Sequence, residues 1–499
     1  MKLKVTAHLP APLPPFLPFF LFFLLSLFLQ FATPWLVGYD AYFHVKFAYL
    51  HREDFFIDEL PWLWHTIHRE EFRNHHLLFH YLLFPFTLLG DLNFWGKVAA
   101  ALFLAIAWQF FYLILRAAGV KWALLWSLIG FSASHAFLFR LSMLRIQSLS
   151  LAVLLALFYF AYRRNYKALF FTSLLFVYLY DGFPLALFVA LAFTVSDFIT
   201  EKKKEWRYLA STALGILTGM IINPYFPENF SSFVFNVYRT IFLDKKEAGV
   251  KLGIEWYPYS SWGLLENMLL AFVALAALFL FLPFAGRPKR EELASIILSL
   301  GFLFLAFKSR RFVEYAPAFV MLSFILVLVR RLKPKEALAL ALLLAPLSVY
   351  HFLEARKTVA RAPSPKPYEK AAEWLKNNTP PRSLVFNADW DDFPFLFYYN
   401  HHNYYTVGLD PMYMYRYDPK LYRLYQQITK GKVKRPARLI AERFGASYVF
   451  TDKKHRRLIK NLELDPYAKK VYEDRFAVIY EVKASSRDAP ADAQKKKGR

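Results

Sequence analysis

The chain has 499 residues, of which 57% are hydrophobic and 19% aromatic, and apolar blocks of roughly 15–25 residues recur through its first two thirds. This pattern excludes an ordinary soluble enzyme. The formal net charge of +24 would suit a nucleic-acid binder, but the Lys and Arg residues fall in short loops between the apolar blocks, as membrane topology requires. The chain has no cysteine, which excludes disulfides, thiolate metal sites and a cysteine nucleophile.

The apolar blocks predict a polytopic α-helical membrane protein with about eleven spans. Basic loops alternate between them so that the N-terminus is cytoplasmic and the C-terminus lies outside. The first block is too long for a cleaved signal peptide. A shorter apolar piece at 77–89, broken by Pro85, predicts a re-entrant or interfacial helix. The predicted spans cover residues 12–37, 94–115, 122–138, 148–162, 167–180, 184–198, 208–222, 264–283, 292–307, 312–329 and 336–352.

The transmembrane domain is predicted to cover residues 1–353, with long outer loops at about 38–93 and 223–262. After it the composition becomes polar, and residues 354–483 predict a small extracytoplasmic α/β domain. The Lys-rich end at 484–499 predicts a disordered tail. Within the α/β domain the pattern predicts a helix at 368–378 and strands at 383–387, 446–451 and 476–482.

Asp40 stands where the first span emerges into water, in the sequence DAYFHVK at residues 40–46. A carboxylate in this position is a hard ligand suited to Mg²⁺ or Mn²⁺, or a general base. The plainer interpretation is an interfacial acid that solvates a helix end. Its neighbours Tyr42 and His44 are candidate acceptor contacts. His76 and His80 follow in the same loop and are candidate metal ligands, because residues four apart share a helix face.

Two basic clusters break the topology rule, because they fall on the outer face, where Lys and Arg are normally sparse. One holds Arg140 and Arg145, and the other Lys308, Arg310 and Arg311. Guanidinium groups match phosphate oxygens in pairs, so these arginines are the candidate donor-phosphate ligands. Arginines that snorkel or form ion pairs at helix ends are the alternative.

Four stretches resemble, in the same order, the catalytic subunit of oligosaccharyltransferase, a GT-C membrane enzyme that moves glycans from a polyprenyl lipid to Asn. They are DAYFHVK at 40–46, GIEWYPYSSW at 253–262, RFVEY at 311–315 and the run VFNADWDDF at 385–393. The chain departs from the family at Gln147 and Ser148, which stand where the family has an acidic metal-binding pair.

The resemblance implies a role for each stretch. Asp40 would contribute to divalent-metal binding and acceptor activation, and Glu255 would lie at the reacting site on a loop that closes over it. Arg311, with Arg310 beside it, would meet the donor phosphate. Trp390 and Asp391 would bind the acceptor, although Asp389 replaces the first Trp of the family's Trp-Trp-Asp block.

Together these features predict a membrane glycosyltransferase that transfers a sugar or glycan from a polyprenyl-(pyro)phosphate lipid to an acceptor on the extracytoplasmic face. The acceptor is a protein, a lipid or a polysaccharide. A GT-C transferase that uses a polyprenyl-phosphate monosaccharide to modify lipid or polysaccharide is the first alternative. A non-enzymatic transporter or flippase for an anionic lipid is the second, and it predicts charges deep within the spans.

Overall fold

A computed structural model describes residue 14, residues 16–241 and residues 253–484. The chain forms two compact units. The first takes in the chain up to Pro34, Phe94–Ile222 and Glu255–Arg361, and the second takes in Trp35–Asn93, Asn223–Ile254 and the chain from Ala362 onward. The predicted disordered tail, apart from residue 484, and the predicted start of the first span at residue 12 lie outside the described residues.

Most elements are helices. In chain order the α-helices are α1 Phe16–Gln30, α2 Asp40–Leu50, α3 Leu77–Thr87, α4 Leu92–Ala117, α5 Ala123–Phe131, α6 His135–Ser142, α7 Gln147–Tyr162, α8 Tyr166–Leu179, α9 Leu185–Glu201, α10 Arg207–Ile221, α11 Glu228–Ile241, α12 Ser261–Asn267, α13 Leu269–Phe281, α14 Arg290–Lys308, α15 Ala316–Val327, α16 Pro334–Ala360, α17 Lys366–Asn378, α18 Phe393–Tyr399, α19 Pro411–Tyr417, α20 Pro419–Thr429, α21 Ala437–Phe444 and α22 Arg456–Glu463. Short 3₁₀ helices occupy Ile254–Trp256, Leu282–Phe284, Arg310–Glu314, Val329–Arg331 and Trp390–Asp392.

The first unit contains most of the apolar helices, and each predicted span overlaps at least one of the helices in this unit. The apolar helix α3 lies in the second unit. Among the described helices, α4 and α16 are long and apolar enough to cross a membrane by themselves. The pairs α5–α6 and α12–α13 bend by 83° and 90°, and counting each pair as one span raises the number to four. Several others are short: α8 has 14 residues, which gives about 21 Å of helix against ~30 Å of hydrocarbon. The number of about eleven spans therefore stays a prediction.

Apolar side chains on the surface of this unit support a membrane location. On α16, Leu343 is 73% exposed, and Leu280 on α13 is 76% exposed. A soluble protein rarely exposes such side chains over whole helix faces. In a bilayer the same faces contact lipid, and the backbone of each helix is satisfied internally.

The second unit is built around an aromatic core to which distant parts of the chain contribute. Phe43 and Phe47 of α2 pack in one cluster with Phe393 and Phe397 of α18 and with Phe450. The segment between α2 and α3 adds Leu60, Leu63 and Phe72 to the same cluster. The first predicted outer loop is therefore an integral part of the unit that contains the α/β fold.

A mixed sheet of five strands completes the second unit. The strands are β1 Leu384–Asn387, β2 Tyr404–Tyr405, β3 Tyr448–Asp452, β4 Ala468–Glu473 and β5 Ala477–Val482, in the order β2-β1-β3-β5-β4. β1 pairs in parallel with β2 and β3, whereas β5 pairs in antiparallel fashion with β3 and β4. β1 is buried along its whole length, as expected for a central parallel strand. The three predicted strands correspond to β1, β3 and β5.

The last helix of the first unit runs beyond the apolar stretch that predicts it. The apolar helix α16 continues to Ala360, and the second unit resumes at Ala362. Composition placed the change near residue 353, because polar residues begin there. A helix propagates through such residues once it is nucleated, so composition marks the end of the apolar stretch and not the end of the helix.

We expect Phe47→Ala to destabilise the second unit by about 3–5 kcal/mol, because the side chain is fully buried in the shared core. The measurement is thermal unfolding of the purified protein in detergent, together with trypsin cleavage of the second unit. Phe55→Ala is the control, since Phe55 is 63% exposed. Equal melting of the two variants would contradict the shared core.

Candidate functional site

Glu255 is held by two arginines from a different part of the first unit. It lies in the 3₁₀ helix Ile254–Trp256, and one carboxylate oxygen accepts hydrogen bonds from Arg140 Nη2 at 3.3 Å and Arg145 Nη1 at 3.2 Å. Its other oxygen lies 3.4 Å from Arg145 Nη2. Arg140 is in the last turn of α6, where the helix dipole favours a cation.

A second carboxylate, Glu314, anchors Arg140 from the opposite direction. Arg140 Nε donates to Glu314 Oε1 at 2.7 Å, and the Glu314 side chain is 1% exposed. Within the described residues, Glu314 Oε2 has no hydrogen-bond partner. Sequence reasoning missed Glu314 as a site residue, although it stands inside the predicted phosphate-binding segment. The signal available in the sequence was an acidic residue three positions after Arg311, in a segment that the topology prediction places on the outer face.

Arg310 and Arg311 bring the same segment against the loop that carries Glu255. The Arg311 guanidinium lies 4.9 Å from the ring centroid of Trp256, and that of Arg310 lies 4.6 Å from Tyr259. Ser309 Oγ donates to the carbonyl of Glu255 at 2.8 Å. Two stretches singled out separately in the sequence therefore meet, and the two basic clusters converge on one carboxylate.

The arginines control the charge of this site. Burial by itself would raise the pKa of Glu255, but Arg145, Arg311 and Arg140 outweigh it and hold that pKa far below its usual range. Three arginines, Arg140, Arg145 and Arg311, thus act on the ionised Glu255, and Glu314 lies buried beside Arg140. The excess of positive charge suits an anionic ligand such as a phosphate.

Asp40, Tyr42 and His44 belong to the second unit. Asp40 is half-buried at the first residue of α2, where the helix N-terminus stabilises a carboxylate. Tyr42 is fully buried, its hydroxyl accepts a hydrogen bond from Leu36 N–H at 3.2 Å, and its ring packs against Phe395. His44 is also buried. As placed, Tyr42 and His44 contribute to the core, and Asp40 is the most accessible of the three.

His80 uses both of its ring nitrogens inside the protein. Its Nε2 lies 2.9 Å from His44 Nδ1, and its Nδ1 lies 3.1 Å from Asn74 Oδ1. His76 precedes α3, and its ring centroid lies 6.3 Å from that of His80. Among the residues that the structure describes, no group of three or more His, Cys, Asp or Glu side chains could hold a metal ion. Mg²⁺ or Mn²⁺ stays a prediction, and we derive no step through it.

Trp390 and Asp391 lie between two adjoining cavities of the second unit. Trp390 lines a cavity of about 490 Å³, and Asp391 lines one of about 650 Å³. Burial, reinforced by the neighbouring Asp389, raises the pKa of Asp391 to about 6. Asp392 is buried beneath them and accepts a hydrogen bond from Tyr368 Oη at 2.9 Å. The block is thus a compact acidic group that faces a cavity.

The chain matches no protein-family model and no curated protein, but it resembles solved structures. Archaeal oligosaccharyltransferase AglB from Archaeoglobus fulgidus, solved with an inhibitory peptide and a dolichol-phosphate, gives a TM-score of 0.65 at 14% identity, over 96% of this chain and 75% of that one. ArnT from Cupriavidus metallidurans, bound to undecaprenyl phosphate, gives 0.61 at 13% identity, over 93% and 97%. Mycobacterial arabinofuranosyltransferase AftD gives 0.60 at 12%, over 94% of this chain and 40% of AftD. All three are GT-C glycosyltransferases, so this chain has a GT-C-like fold.

We expect Arg140→Met to destabilise the first unit by about 3–5 kcal/mol, because Glu314 would remain buried without its cation. The double variant Arg140→Met/Glu314→Leu should recover most of this loss, since it removes both charges. The measurement is thermal unfolding in detergent, with Lys333→Met at the exposed pair with Glu336 as the control. A double variant as unstable as the single one would show that the pair is not coupled.

The raised pKa of Asp391 predicts a pH-dependent stability. Between about pH 4 and pH 6 the folded protein keeps a proton that the unfolded chain has lost, so this group lowers stability as the pH rises through that window. Asp391→Asn should therefore stabilise the second unit by about 1–2 kcal/mol at pH 7 and have little effect at pH 4. Melting curves across pH test this, with the exposed Asp58→Asn as the control. A gain that is independent of pH would refute the assignment.

Proposed function

We propose that this protein is a GT-C glycosyltransferase that takes a sugar or glycan from a polyprenyl-(pyro)phosphate lipid and transfers it to an acceptor on the extracytoplasmic face. The observation that carries the proposal is the arginine cluster around Glu255, in a unit with a GT-C-like fold. The structures of AglB and ArnT contain a dolichol-phosphate and undecaprenyl phosphate respectively. A lipid-linked phosphate fits the charge of this cluster.

In this proposal the arginines stabilise the phosphate that leaves as the sugar is transferred. Negative charge develops on the phosphate oxygens when the bond to the sugar breaks, and fixed guanidinium groups lower the energy of that state. Arg145 already binds a carboxylate with two nitrogens, a geometry that suits two phosphate oxygens equally well. Arg310 and Arg311 extend the positive surface beside it.

Asp40 is the proposed general base, which accepts the proton of the acceptor nucleophile. Its position at the start of α2 leaves it half-buried and close to the surface of its unit. Glu255 is the proposed acceptor-positioning residue. As substrates bind, its carboxylate would release one of its arginine partners and bind the acceptor instead. Neither role requires a step on a metal ion.

The altered acceptor block favours a lipid or polysaccharide acceptor over a peptide. Asp389 replaces a Trp of the family block, and it adds to the effect of burial in raising the pKa of Asp391. Such a surface offers hydrogen bonds to hydroxyl groups more readily than an apolar contact to a peptide. A transporter is the weaker alternative, because Glu255 and Glu314 lie in connections between helices and not midway along them.

We expect Asp40→Asn to lower the transfer rate by about 100-fold or more while donor binding is retained, because a positioned base contributes about that much. The assay uses purified protein in liposomes that contain radiolabelled polyprenyl-linked sugars, with cell-envelope lipid and polysaccharide fractions as acceptors. Glu59→Gln, an exposed acid in the same unit, is the control. An Asp40→Asn protein that transfers sugar at the normal rate would contradict the proposed role of Asp40 as general base.

A further inference from the structure

The cavity beside Trp390, called here the basic cavity, combines aromatic and cationic side chains. It has a volume of about 490 Å³, within the ~300–1,000 Å³ typical of small-molecule sites. Its walls come from the 3₁₀ helix Trp390–Asp392, from α20 and from the start of α22. The side chains that define it are Trp390, Tyr422, Lys430, Lys454, Arg456 and Arg457.

Three of the four cations of the basic cavity have no acidic partner. Lys454 pairs with Asp452 at 3.0 Å, whereas Lys430, Arg456 and Arg457 form no ion pair with any part of the chain that the structure describes. Asp389 is the single carboxylate in the lining. The first turn of α22 begins at Arg456, so the positive end of its helix dipole adds to the field. The field of this cavity is therefore positive.

The walls of the basic cavity are tied together before any ligand binds. Asn461 of α22 donates to the carbonyl of Val433 at 2.7 Å and to that of Gly431 at 3.1 Å. Gly431 has a φ of +66°, and a Cβ placed on it would lie 2.4 Å from Arg457 Cβ. This close approach holds α22 against the turn that follows α20. Cations that repel one another but are held in place by the fold are typical of a preorganised anion site.

The aromatic side chains indicate what kind of anion fits. Tyr422 Oη accepts a hydrogen bond from Gln426 Nε2 at 2.9 Å, and Trp390 is half-buried, which leaves part of the indole accessible. A sugar ring stacks its C–H face on such rings while its hydroxyl groups bond to amide and acid side chains. A free inorganic ion would use the cations alone.

We propose that the basic cavity binds an anionic saccharide, a sugar that carries a carboxylate or phosphate group, and that this saccharide is the acceptor of the transfer reaction. The role of this saccharide as the acceptor rests on the proposed function, whereas its binding to the cavity does not. The adjoining cavity of about 650 Å³ is lined by Asp391, Asp392 and Asp452 but also by Lys453 and Arg475, and it shares Asp389, Lys454 and Arg456 with the basic cavity. The anionic group enters the basic cavity, and the neutral hydroxyl groups face this adjoining cavity of mixed charge.

The test measures binding to the full-length protein in detergent by isothermal titration calorimetry, without a sugar donor. The probes are oligogalacturonate, a neutral maltooligosaccharide of equal length, glucose 6-phosphate and inorganic phosphate. We expect oligogalacturonate and glucose 6-phosphate to bind, with an affinity that falls as salt is added. Arg456→Gln/Arg457→Gln should weaken both by at least about tenfold. Trp390→Ala should weaken the sugars but not phosphate.

The control is Arg423→Gln/Arg443→Gln, which removes the same charge from exposed positions outside both cavities. Equal binding of the neutral oligosaccharide would refute the role of charge, and equal binding of phosphate and glucose 6-phosphate would refute the role of the sugar. Unchanged binding to the Arg456/Arg457 variant would overturn the location. If transfer proceeds normally while these probes fail to bind, this proposal fails and the proposed function stands.

Discussion

The arrangement of the candidate site in the first unit depends on the ion pairs of Glu255 with Arg140 and Arg145. Three segments that are far apart in sequence converge there, at the end of α6, in the loop before α12 and in the turn between α14 and α15. Arg140 bridges two carboxylates, so its removal leaves the buried Glu314 without its ion-pair partner. Burying these charged groups costs desolvation energy, and apolar residues in their place would stabilise the unit at least as well. The arrangement is therefore better suited to binding an anion than to stability alone.

Much of the fold could be predicted from the sequence, because long apolar blocks and short alternating strands leave strong local patterns. The helices of the first unit and the strands β1, β3 and β5 were found in this way. β2 has two residues, and β4 has a register shift between Lys470 and Tyr472 and no fully buried residue, so neither carries the alternation by which a strand is recognised. The sequence pattern also does not predict that α2 belongs to the second unit, because packing between distant segments decides this.

The site was predictable as a set of residue types but not as an arrangement. The arginines were identified because the predicted topology puts them on the outer face, where Lys and Arg are sparse. The structure brings Arg140, Arg145 and Arg311 around one carboxylate. Glu314 was missed because its partner lies 174 positions away. The basic cavity was also missed, since exposed Lys and Arg residues are common in any sequence and acquire meaning only when they line the same space.

The shared core of the second unit has a consequence for how the protein is made. Phe43 and Phe47 leave the ribosome on the order of 300 residues before the segments that cover them, Phe393 among them. At a synthesis rate of ~5–20 residues per second, they wait for roughly 15–60 seconds. During that time Phe72 and His80 can already pack against Phe47, but the face that Phe393 and Phe397 cover stays without a partner. Biogenesis of this protein therefore calls for a chaperone or translocon component that shields α2 until translation is nearly complete.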